Sequence, residues 1–114
     1  MLHDHVWTHA EKQMARKAFD AAYSRECKEI LKKTKEMVEK ASDAPGLWRV
    51  HDLLTEERRR TDDLYDYRYS VLITVFARLI KDGRMTEDEL AGLSADKLQQ
   101  IQSLLAFRQD FENG

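Results

Sequence analysis

From Tyr23 onward, Tyr23, Cys27, Ile30, Thr34, Met37 and Ala41 recur at alternating steps of four and three. That spacing predicts a helix with a heptad-like seam, weakened by Cys27, Thr34 and Ala41. Upstream, Thr8 and Glu11 stand at the capping-box separation, where each side chain satisfies a free N–H of a first helical turn, so the helix starts at Thr8. It runs to about Ala41 and breaks at Ser42-Asp43-Ala44-Pro45-Gly46. A second helical region is expected from about Gly46 to about Asp82, bent or split near 61–66 where polar residues concentrate, with Gly83 as its C-terminal cap. Its last part, carrying Val71, Leu72, Val75, Phe76, Leu79 and Ile80, is the most apolar stretch of the chain. Thr86 and Glu89 form a second capping box before a short helix ending near Gly92, and Ser94 caps a last helix bearing Leu98, Ile101, Leu104 and Leu105.

The segment 48–58 writes two faces onto one helix. With Trp48 at zero and 100° per residue, Val50, Leu53, Leu54 and Leu64 cluster at about 190°, a stripe suited to burial. Trp48, His51, Asp52, Thr55, Arg58 and Arg59 fall on the opposite side. Two readings are open: a half-buried tryptophan among ordinary surface charges, or a second face that meets another chain. Geometry favours the second. Asp52 and Arg58 are six apart and cannot pair along one helix, where neighbours are three or four apart. They flank Trp48 on opposite sides, and Trp and Arg are enriched at interface hot spots.

Composition narrows the class. The 114 residues suit one domain, 42% are hydrophobic and 35% charged, and Pro45, Gly46, Gly83 and Gly92 are the only helix breakers before Gly114. The expected fold is therefore all-α, a single domain over 1–114: a long helical stalk (about 8–65), a small helical head (about 66–106), and flexible ends at 1–7 and 107–114. A first helix of about 34 residues reaches roughly 50 Å, beyond what its own domain can cover, so a two-fold homodimer is expected. A net charge of −2 gives no field for nucleic acid or an anionic membrane surface. One cysteine, Cys27, excludes an intrachain disulfide and is expected to be a small buried hydrophobe on the seam. No apolar run approaches a membrane span and no secretory signal is present, so a cytoplasmic protein without membrane insertion is expected.

The candidate chemistry is sparse. His51 and Asp52 are adjacent and project about 100° apart, which suits neither a triad nor its nucleophile, so no catalytic residue and no enzyme activity are expected. His3, Asp4, His5 and His9 have metal-ligand chemistry but sit at a chain end, and no metal site is expected. Arg58-Arg59-Arg60 is enclosed by Glu56, Glu57, Asp62 and Asp63, the pattern of a mixed-charge face. Tyr65, Tyr67 and Tyr69 are spaced by two and scatter around a helix axis, forming no stacking platform.

Taken together, these residues resemble the fluorescence recovery proteins of cyanobacteria and their homologues in non-photosynthetic bacteria. The likeness runs through Trp7-Thr8, Glu11, Phe19, Ala22-Tyr23 and Arg25-Glu26, then the whole Trp48-x-x-His51-Asp52-x-Leu54-x-x-x-Arg58 pattern. It continues in Tyr65-Asp66, Arg68, Ser70-Val71, Val75-Phe76-Ala77, Gly83, Glu89-Leu90, Leu93 and Ala95-Asp96-Lys97. The resemblance implies an all-helical dimer, without cofactor, that binds photoactivated orange carotenoid protein chiefly through its C-terminal domain and speeds its return to the resting state. It implies that Trp48, His51, Asp52 and Arg58 form the dimer and partner-binding patch, with Asp52 and Arg58 paired between subunits. On the head, Thr74 and Gln100 stand where cyanobacterial members carry an aromatic residue and a lysine, a secondary contact surface. A helical dimeric adaptor with a different client in a non-photosynthetic bacterium is the alternative.

Overall fold

A computed structural model of the chain describes residues 6–113, with side chains through Phe107. The described chain is all-helical. It consists of α1 (His9–Lys40), α2 (Ala44–Leu64), α3 (Leu72–Lys81), a 3-10 turn (Glu87–Leu90) and α4 (Ala95–Asn113). The radius of gyration is 17.1 Å and the extents are 54 × 37 × 24 Å. A compact domain of this length has a radius of gyration of about 13 Å. The excess is the stalk, a hairpin of the second half of α1 against α2.

Local chemistry sets each boundary. Thr8 and Glu11 close the expected capping box: Glu11 N–H donates to Thr8 Oγ1 (3.1 Å) and Thr8 N–H to Glu11 Oε1 (3.0 Å). Asp43 caps α2 by accepting from Gly46 N–H at 2.9 Å, with Pro45 inside the first turn, so α2 begins two residues before Gly46. Gly83 has φ +77° and ends α3 as expected, with Gly83 N–H on Ile80 O and Arg84 N–H on Leu79 O.

The second helical region splits more widely than the sequence suggests. α2 ends at Leu64 and α3 starts at Leu72, and residues 65–68 between them are neither helix nor turn. This corrects the reading of the tyrosines. Off the helix the step of 100° per residue no longer applies, and Tyr65, Tyr67 and Tyr69 come together instead of scattering. They stack along α1: Tyr65 meets Tyr23 (5.1 Å between centroids) and Phe19 (5.5 Å), Tyr67 meets Phe19 (4.9 Å), and Tyr69 meets Tyr67 (5.6 Å) and Trp7 (5.3 Å). Edge-to-face pairs of this kind contribute about 0.5–1.5 kcal/mol each beyond their buried area.

The core lies wholly in the head. Leu72, Phe76, Leu79, Leu90 and Ile101 are its fully buried large side chains. They pack on Ala15, Ala18, Phe19 and Ala22 of α1. The first half of α1 is thus part of the head, not of the stalk as its position in the chain suggests. Trp7 is also buried, so the segment expected to be loose contributes a core residue. The rest of that expectation (residues 1–5, with His3, Asp4 and His5) and Gly114 lie outside the described residues. Residues 107–113, expected to be flexible, continue α4.

A buried ion pair fastens the head. Lys97 Nζ lies 3.2 Å from both Glu11 carboxylate oxygens, donates to Val6 O at 2.8 Å and sits over the Trp7 ring. Glu11 also accepts from Ser94 N–H at 2.8 Å. With so many donors the Glu11 carboxyl is lowered to about 2, the Thr8 backbone bond contributing most and burial opposing it.

Candidate partner-binding surface

Helix α2 places the residues singled out in the sequence along the outside of the hairpin. Trp48 is 60% exposed, and His51, Asp52 and Arg58 are exposed as well. The indole meets the His51 ring edge-on at 6.1 Å, and His51 Nδ1 lies 3.6 Å from an Asp52 carboxylate oxygen. That separation is longer than a hydrogen bond, and both side chains are mostly in water. Arg58 pairs with Asp62 one turn on, at 3.0 Å. Asp52 and Arg58 form no pair with each other within the chain.

The opposite stripe is the first surprise. Val50, Leu53 and Leu64 are only half-buried and Leu54 is exposed, so α2 buries just Gly46 and Thr61. Along α1, nothing after Glu26 is buried. Leu31, Val38, Leu47 and Leu54, with Trp48, leave a run of large apolar side chains in water along the hairpin. Scattered apolar residues are ordinary on a surface, but a run of this kind marks an interaction site. Cys27, expected within a buried seam, is exposed instead, in an open groove between α1 and Leu54, Arg58 and Thr61 of α2.

Arg58-Arg59-Arg60 behaves as a mixed-charge face. Arg59 pairs with Glu56 at 2.6 Å, and Arg60 binds Glu57 and Glu26 at 2.8 Å each. On the head, Thr74 is exposed on α3 and lines a groove with Arg60, Asp63, Leu64, Val75 and Arg78. Gln100 is half-buried on α4 and bonds Asp96 at 3.4 Å. Thr74 therefore faces a junction with the stalk, whereas Gln100 belongs to the far helix of the head. No group of histidine, cysteine and carboxylate residues able to hold a metal occurs among the described residues. No helix among them is long and apolar enough to cross a membrane.

One cluster went unnoticed in the sequence. Glu26, 2% exposed, holds its carboxylate among Arg60 of α2, Arg84 of the loop after α3 and Tyr65 of the linker. Burial pushes the Glu26 carboxyl up, and the bonds from Arg60, Arg84 and Tyr65 outweigh it and hold the group below the usual carboxylate range. The Tyr65 hydroxyl is pushed well above its ordinary value, by burial first and then by the Glu26 charge. A signal was present: Ala15, Ala18, Ala22 and Glu26 share one buried face of α1, and a carboxylate on such a face needs cationic partners.

Comparison with known proteins matches this geometry to one family. The sequence model described as photoprotection regulator fluorescence recovery protein matches residues 7–105. The fluorescence recovery protein of Synechocystis sp. is 39% identical over 98 residues, covering 86% of this chain and 90% of its own length. Its solved structure superposes with a TM-score of 0.82 at 38% identity, over 87% of this chain and 97% of that one. The fluorescence recovery protein of Fremyella diplosiphon gives a TM-score of 0.81 at 41% identity, with the same coverage. The matched span takes in the capped start of α1, the exposed face of α2 and the whole head core, so the chain belongs to the fluorescence recovery protein family of photoprotection regulators.

Proposed function

We propose that this chain works in the cytoplasm as a non-enzymatic homodimer that binds photoactivated orange carotenoid protein through its C-terminal domain and speeds its return to the resting state. The observation that carries this reading is the exposed face of the hairpin. Trp48, Leu47 and Leu54 on α2, and Leu31 and Val38 on α1, lack an intramolecular cover. A second copy supplies the cover in a two-fold arrangement, with Asp52 of one copy paired to Arg58 of the other. The patch left beside Trp48 and His51, together with the head surface around Thr74 and Gln100, receives the carotenoid protein.

Acceleration then needs no chemistry from side chains. A partner that binds the state leading toward the resting conformer more tightly than the activated one lowers the barrier between them by that difference. The test is the dark recovery of photoactivated carotenoid protein, followed by absorbance with and without this protein. Faster recovery together with a complex in size exclusion is the expected result. An unchanged rate with no complex rules out this client.

A further inference from the structure

The two surfaces of the proposed patch belong to bodies joined by little. α2 packs chiefly on α1, and its own end continues into the non-helical linker at 65–68. Head and stalk are thus bridged by the single helix α1 and that linker. Long helices curve gently rather than run straight, so a lone helix does not by itself fix the angle between two bodies.

Glu26 sits at the crossing. Its Oε2 accepts from Arg60 Nη2 at 2.8 Å, its Oε1 accepts from the Tyr65 hydroxyl at 3.1 Å, and Arg84 Nε lies 3.2 Å from Oε1. Those three partners come from α2, from the linker and from the loop after α3. The same Tyr65 hydroxyl also reaches Ala22 O at 3.1 Å, and Arg25 Nη1 donates to Arg84 O at 2.8 Å. Arg60 in turn walls the groove that holds Thr74. One buried carboxylate therefore ties every segment that meets at the junction.

We infer that Glu26 is a positioning residue: it fixes the angle between stalk and head so that one partner meets the α2 patch and the α3 surface together. Arg60, Arg84 and Tyr65 act through it. The inference rests on the proposed function only for its consequence, since the fixed angle is a property of the free dimer. If a variant holds the productive angle in a tenth of molecules, apparent affinity for the partner falls about tenfold without loss of any contact residue.

The test uses the full chain with Glu26→Gln, and Tyr65→Phe as a milder variant that removes only the hydroxyl. Spin labels at exposed Lys35 and Ser103, in a Cys27→Ser background diluted with unlabelled protein, report the stalk-to-head distance. Wild type gives one narrow distribution. Both variants broaden it while far-UV circular dichroism and sedimentation stay those of the folded dimer, and the concentration needed for half-maximal acceleration rises about tenfold for Glu26→Gln. Lys17→Gln, an exposed change on α1 outside both the patch and the junction, leaves all readouts unchanged. Narrow distributions in both variants overturn the inference, as does broadening with undiminished acceleration. If wild type itself fails to accelerate recovery, the proposed client is wrong while the distance measurement still decides the role of Glu26.

Discussion

Head and stalk share α1, yet the same helix is treated in opposite ways at its two ends. Over its first half, Ala15, Ala18, Phe19 and Ala22 are buried against α3, α4 and Trp7. Beyond Glu26 every residue of the helix is at least partly exposed. The head has its own core, its own buried ion pair and an aromatic row. The stalk has caps, surface ion pairs and uncovered leucines. A region that closes its core within one chain is stable alone; a region that leaves an apolar face open takes its stability from what covers it.

The contrast breaks most sharply in the core. Phe76 is fully buried. Phe76→Ala is expected to destabilise the head by about 3–5 kcal/mol at any protein concentration, as read from urea unfolding. Leu31→Ala with Leu54→Ala, on the stalk, should shift unfolding little in dilute protein, where both side chains are uncovered, and more in concentrated protein, where association buries them. Equal effects of both changes at all concentrations would show that the stalk is self-sufficient.

Glu11 gives the next largest effect, and it depends on pH. Its folded-state value of about 2 lies below the ordinary 4.5, so the unfolded chain takes up the proton first on acidification. The stabilisation is fully present above about pH 4.5 and is lost as pH falls toward 2. Glu11→Ala strands Lys97 and should remove about 3–5 kcal/mol at neutral pH. It should also flatten the acid limb of stability against pH, measured by chemical unfolding at several pH values.

On the stalk, Asp52→Leu is expected to weaken self-association by about 2–5 kcal/mol, largely through the arginine left unpaired in the partner, with the head unchanged. Sedimentation at graded concentration checks it; a dimer as tight as wild type would remove the intersubunit pair. Arg58→Leu is a less clean probe because it also deletes the exposed Arg58–Asp62 pair. The smallest change is Thr8→Ala, which leaves a first-turn N–H without its cap and should cost about 1 kcal/mol in thermal unfolding.

Much of this was legible in the residues. The capping boxes at Thr8 and Thr86, the stop at Gly83 and the apolar run that became α3 follow from chemistry within a few positions along the chain. The two-faced helix at 48–58 was equally local, and Trp48 came out exposed as its wheel position suggests. The tyrosines were misplaced because their scatter assumed a helical backbone, and the break after Leu64 was expected to be narrow. Cys27 was misplaced because a seam of four and three states which side chains share a face, not whether anything lies against it.

By itself, then, the chain determined its helices, their ends, and which residues stand together on each, since these depend on neighbours three or four positions away. Only the tertiary structure decided that α1 is half head and half stalk, that Trp7 belongs to the core, and that Glu26 gathers Arg60, Tyr65 and Arg84. Those outcomes join residues 34 to 59 and more positions apart, as in Glu26–Arg60 and Arg25–Arg84. No local rule brings such groups together. They meet because α3, α4 and the loops close over one half of α1, and a carboxylate caught beneath them must find its cations there.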